Sequence, residues 1–103
     1  MNETTIIKNA LLKSITMVVA EKSLHTTLHF QYADNDTQSS GAQPTTFEFL
    51  KALASITGES EILKISDKPC RVRTRRIEEN RFNAGQYEIS AIGHFLNDEW
   101  FSL

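Results

Sequence analysis

Lys68-Pro-Cys-Arg-Val-Arg-Thr-Arg-Arg-Ile77 is the stretch on which the reading of this chain turns. Successive side chains of a strand point to opposite faces, so Arg71, Arg73 and Arg75 share one face while Cys70, Val72 and Thr74 turn toward a core. Pro69 stands at the start of that strand, where its missing donor costs least. All five arginines fall between positions 71 and 81. Segment 68–81 holds six cations against two acids, and the rest of the chain holds five lysines against eleven acids, for a net charge of -2. Like charges two residues apart on a strand are roughly 6–7 Å from each other. Water, acidic neighbours or a bound anion must screen them. Arginine in place of the lysine used elsewhere favours planar, two-pronged contacts to phosphate or carboxylate.

The flanking sequence supplies the other elements. Tyr87–Ile92 reads as a strand with Tyr87, Ile89 and Ala91 on one face, reached through a polar hairpin connection, Glu78–Gln86. Upstream, Leu24, Thr26, Leu28, Phe30 and Tyr32 alternate with His25, Thr27, His29 and Gln31, the period-2 pattern of a half-buried strand. The latter half of residues 5–19, with Ile15, Met17 and Val19 alternating, forms its antiparallel hairpin partner across Ala20–Ser23. Residues 33–44 are polar and dense in turn formers, which predicts a loop. Thr45 and Glu48 have the spacing of a capping box and Gly58 supplies a left-handed stop, so a helix lies between, with Phe49, Leu53 and Ile56 on its apolar stripe and Glu48, Lys51 and Ser55 outward. Residues 59–67 hold a short helical turn anchoring Ile62, Leu63 or Ile65. The expected fold is α+β, a mainly antiparallel sheet of about four strands with one helix packed on it; the alternative is a small, partly open barrel of the oligonucleotide-binding type. One domain, residues 1–103, accounts for the length.

Composition narrows the function. A pI near 5.9 argues against a general DNA binder, since the mean field repels phosphate, so any affinity for nucleotides must be local. The single cysteine excludes an internal disulfide and suits a reducing compartment. No secretion signal or membrane span is read, and the expected location is the cytoplasm.

Several site readings compete. His25 and His29, four apart on a strand, stand roughly 13 Å from each other and cannot clamp one metal ion. Asp34-Asn35-Asp36 looks like half a calcium loop, but the glycine and the closing glutamate are missing, Thr45 standing at position twelve. His94 and Asp98 suggest an oriented general base, yet no nucleophile motif accompanies them. For the arginine strand two readings stay open: a solvated ladder in which the arginines pair with Glu88 and nearby acids, or a site for a phosphate-bearing ligand or acidic partner, with Tyr87 or Phe82 as a stacking surface.

Gly93-His-Phe-Leu-Asn-Asp-Glu-Trp-Phe101, preceded by Asp67-Lys-Pro-Cys-Arg-Val72, resembles the ending of a group of small, mostly uncharacterised phage and prophage proteins. Their Gly-His-Phe-Leu-x-Asp-x-Trp-Phe-like tail follows the same order of hairpin, loop, helix and Lys-Pro turn. The chain departs from them at Asp67, where such proteins often carry glycine, and in its shorter middle loop. The resemblance implies a viral accessory protein and no particular reaction. With the arginine strand, it leads to the expectation of a non-enzymatic, anti-CRISPR-like phage protein that counteracts host defence by sequestering a nucleotide immune signal or occluding a defence complex. Arg71, Arg73, Arg75 and Arg76 would bind phosphate, with His94, Asp98 and Trp100 shaping the pocket; no cofactor or metal is expected, and a homo-oligomer is, since subunit boundaries create concavity. The alternative is a single-stranded nucleic-acid-binding accessory protein of phage replication, and a third reading is a hydrolase using His94 and Asp98.

Overall fold

The structure, a computed structural model, describes residues 5–76 and 87–103. Strand β1 (Thr5–Ala20) turns into β2 (Ser23–Tyr32), and two short strands follow, β3 (Thr37–Ser39) and β4 (Gln43–Pro44). Helix α1 (Phe47–Thr57), a 3-10 turn at Ile62–Lys64, β5 (Lys68–Arg76), β6 (Tyr87–Gly93) and β7 (Trp100–Ser102) complete the order. Among the described residues the α+β class with one helix holds, but the expected sheet of about four strands has seven, all antiparallel, ordered β3-β2-β1-β5-β6-β7, with β4 also on β2. The partly open barrel is not formed as expected either. The sheet is a path with ends at β3 and β7, and among the described residues no backbone ladder joins them. One side chain spans part of that gap, Gln38 Nε2 donating to the Tyr87 carbonyl at 3.0 Å.

The three extra strands come from segments read as loop or tail. Residues 33–44 contain β3 and β4, and the stretch between them is held on β2 by Ser40, whose N–H donates to the Leu28 carbonyl at 2.9 Å while its Oγ accepts from the Leu28 N–H at 3.0 Å. A serine hydroxyl standing in for a ladder carbonyl leaves no apolar alternation to read. The tail folds back as β7, which directs Phe101 to the core face, its ring 5.6 Å from that of Phe49. Phe95 and Leu96 stay outside, 40 % and 83 % exposed, so only part of the aromatic tail is covered.

β1 is the central strand, and all sixteen of its residues are extended rather than the latter half alone. It is served unequally: β2 runs along Ala10–Ala20 and β5 along Thr5–Leu12, so only Ala10, Leu11 and Leu12 have partners on both sides. A bulge at Lys13 shifts the alternation, because Leu12 faces Phe30 while Ser14 faces His29. Ala10 and Leu12 point inward before it, and Ile15 and Met17 after it. A second bulge at Ser90 corrects the expected face of β6: Ile89 pairs with Thr74 and Ile92 with Val72 on the core side, whereas Ala91 sits beside Arg73 on the other face.

Against the core face, α1 buries Phe49, Leu53 and Ile56. Its cap is Thr46, not Thr45: the Thr46 Oγ1 accepts from the Phe49 N–H at 3.1 Å, which leaves Glu48 out of capping-box register. Thr45 instead bonds the buried Thr26 hydroxyl at 2.6 Å. Gly58, at φ 75°, closes the helix as expected. In the 59–67 segment Ile65 is the buried anchor at 3 % exposure, while Leu63 is 81 % exposed. Among the described residues no helix is long and apolar enough to cross a membrane.

Candidate functional site

The face of the sheet away from α1 carries the arginines, as the alternation of β5 requires. Arg71 stands beside Gly93 and Arg73 beside Ala91 on β6, with Trp100 of β7 across from Gly93. The missing side chain at Gly93 lets the indole lie down over the sheet. A β-carbon there would come within 2.6 to 2.7 Å of three atoms of the six-membered ring, so the ring presents its face rather than its edge. The guanidinium carbons of Arg71 and Arg73 lie over the same indole, 4.9 and 4.4 Å from its centroid. Such stacking is worth about 0.5–1 kcal/mol at an exposed site and more where water is excluded.

The arginines differ in their other bonds. Arg71 Nε donates to the His94 carbonyl at 2.8 Å and its Nη2 to the Asn97 carbonyl, so it clamps the β6–β7 turn. Arg75 pairs with Glu88 at 2.7 Å, the cross-strand ladder that was one of the two open readings. Arg73 has the indole, and among the described residues no carboxylate lies within ion-pair distance of Arg71, Arg73 or Arg76. Arg76 is exposed at the end of β5. Arg71, Arg73 and Trp100 are therefore brought together, while Arg75 is committed to Glu88.

His94 and Asp98 do not form the expected pair. His94 Nδ1 accepts from the backbone N–H groups of Leu96 and Asn97 at 3.0 and 3.3 Å, which makes it a turn cap with its proton on Nε2. Asp98 is exposed on the same turn, and no contact joins it to His94. His29 bridges Thr16 Oγ1 and Ser39 Oγ, both at 2.7 Å, as a cross-strand tie of the sheet face. Among the described residues no group of three His, Cys, Asp or Glu side chains is placed to hold a metal ion. Asp34 Oδ1 accepts from the Asp36 N–H at 3.0 Å, so Asp34-Asn35-Asp36 forms a local turn, in keeping with the missing glycine and glutamate of a calcium loop. Of the proposed stacking partners, Tyr87 is half-exposed at the start of β6 and Phe82 lies outside the described residues.

Two shallow cavities lie where β2 leaves β1, the first of them bordered by Asn9, the β1 partner of Arg71. One, of about 280 Å³, is bounded by Leu11, Tyr32, Pro69 and Phe95; the other, of about 370 Å³, by Lys8, Asn9, Tyr32 and Asp34. No arginine lines either. Sequence reasoning missed Gly93 and Asn97 as parts of the arginine site. A glycine inside a strand pattern signals a close approach, and Gly93 ending β6 fits that signal. Nothing in the sequence marks a backbone carbonyl such as that of Asn97. Searches with the chain return no matching family model, no matching curated protein and no matching solved structure.

Proposed function

We propose that this chain is a non-enzymatic, phage-encoded binding protein that counteracts host defence by covering a phosphate-bearing strand displayed by a defence complex. The observation that carries the reading is the Arg71–Trp100–Arg73 stack, two cations on one aromatic with no carboxylate within ion-pair distance among the described residues. Bases stack on guanidinium planes as well as on rings, and phosphates take the outward N–H groups. The stack lies on a sheet face, and neither of the two cavities described is lined by an arginine, which supports an extended polyanion over an enclosed small nucleotide. The viral assignment rests on the resemblance of the tail.

Fluorescence anisotropy of a labelled single-stranded oligonucleotide, with a cyclic dinucleotide as competitor, tests the binding. Saturation at a fixed ratio, affinity falling steeply with salt and loss on Arg73→Ala support it. Tight binding of the dinucleotide without the oligonucleotide points to sequestration instead, and the absence of both rejects the site. A phage lacking the gene should plate poorly on a host with its defence genes and normally on one stripped of them. Equal impairment on both hosts favours the second reading, a single-strand-binding factor of replication, which the same stacking geometry suits.

A further inference from the structure

The far half of β1 has β2 on one side and, among the described residues, no strand on the other. β5 stops at Lys68 opposite Leu12, and Asp67, at φ 55°, turns the chain away, leaving Lys13–Ala20 without a second partner strand among the described residues. The two-residue turn Glu21-Lys22 makes Ala20 and Ser23 the first hydrogen-bonded pair of the hairpin. Bonding then alternates along the ladder, so Val18 and Thr16 exchange bonds with β2, whereas the N–H and C=O groups of Ile15, Met17 and Val19 point out of the sheet edge. The segment Ser14-Ile-Thr-Met-Val-Val-Ala20 has no charge, no proline and no glycine, and Val18 and Val19 are 53 % and 74 % exposed. Native edges are ordinarily blunted by such residues. This one is bare.

We propose that this edge is the interface of a symmetric homodimer, in which Ser14–Ala20 of two copies pair antiparallel about Met17 and join the two sheets into one. The register follows from the ends. Pairing centred on Met17 places Ile15 opposite the partner's Val19, so the three residues with outward groups all bond, and the partner's turn just clears β5. A register shifted two residues toward Leu12 would drive that turn into Lys68. The charged residues bounding the apolar segment then match, Lys13 of each copy facing Glu21 of the other, while Lys13 also pairs with Asp67 at 2.5 Å. Val19 and Leu24, exposed in the single chain, become covered by Ile15 and Met17 of the second copy. The inference is independent of the arginine site, which lies on β5–β7.

The test is light scattering with size exclusion on the full chain, together with disulfide trapping. A mass of twice 11.7 kDa is expected. In the proposed register the two Met17 residues form a hydrogen-bonded pair with Cα atoms about 5.5 Å apart, inside the range a disulfide bridges. Met17→Cys should therefore cross-link into a dimer on mild oxidation. Val19→Cys, although more exposed, should not, because the two copies of residue 19 lie roughly 13 Å apart. The native Cys70 is fully buried and does not compete. Val19→Lys places a charge on the edge and should weaken association by about tenfold or more, with the circular dichroism spectrum retained. A monomer at all concentrations, equal cross-linking at positions 17 and 19, or a dimer indifferent to Val19→Lys would each overturn the proposal.

Discussion

Trp100 lies face-down on Gly93, close enough that a single methyl group at position 93 would stand 2.6 Å from an indole carbon. The contact joins β6 to β7 and holds the platform on which Arg71 and Arg73 stack. Gly93→Ala should lift the ring, cost about 1–3 kcal/mol as overpacking does, and shift the emission of the only tryptophan to the red. Urea unfolding and the emission maximum check both effects.

Arg71 and Arg73 share the indole but not their other duties. Arg71→Ala removes two charge-assisted bonds to the turn carbonyls of His94 and Asn97 and should lower stability by about 2 kcal/mol. Arg73→Ala should cost no more than about 1 kcal/mol, yet weaken oligonucleotide binding and reduce the salt slope by about one. Denaturant curves read beside salt titrations separate the two roles.

At the amino end of α1, two adjacent threonines have different work. Thr46→Ala loses the helix cap, about 1 kcal/mol. Thr45→Ala strands the buried Thr26 hydroxyl and should cost about 1–3 kcal/mol. Glu48→Ala should be close to neutral. Leu53→Ala, in the core, should cost about 2–5 kcal/mol. Thermal melts of the four variants give the ranking.

Alkali should unfold the protein through Cys70 and Tyr32. Burial pushes the Cys70 thiol from 9.0 up to about 12. Burial, with the nearby Cys70 and Asp34 charges, pushes the Tyr32 hydroxyl from 10.0 up to about 12. The folded state holds both protons where the unfolded chain has released them, so the contribution of these two groups to stability is level below pH 9.0 and falls as pH rises toward about 12. The urea midpoint across that range should decline, and less steeply in Cys70→Ala. At neutral pH the thiol should resist aromatic disulfide reagents until the chain is unfolded.

How much of this was legible depended on whether a local pattern survived tertiary demands. In β2 it did from Thr26 onward: Thr26, Leu28, Phe30 and Tyr32 are buried as their alternation dictates, while Leu24 beside the turn is 39 % exposed. The arginine face of β5 was readable for the same reason. β1 was only half readable, because one extra residue at Lys13 reverses which side chains face the core, and Ile6-Ile7 with Leu11-Leu12 then mimics no period at all. β3 and β4 are three and two residues long, held by Ser40 and by pairing to an already formed β2, so no propensity marks them. At the site, charge and face were foreseeable. The pairing of an arginine with Glu88 was also among the open readings, and Arg75 makes it; the clamp of Arg71 on carbonyls and the seat of Trp100 depend on which strands become neighbours, and that is a property of the whole sheet.

The pairing of Ile6 with Thr74 has a consequence for synthesis. Thr5–Asn9 leave the ribosome long before β5, the strand they pair with, and at about 5–20 residues per second they wait several seconds for it to emerge. Throughout that interval the β1–β2 hairpin exists without β5, and the two strands that extend the sheet beyond β5 emerge later still.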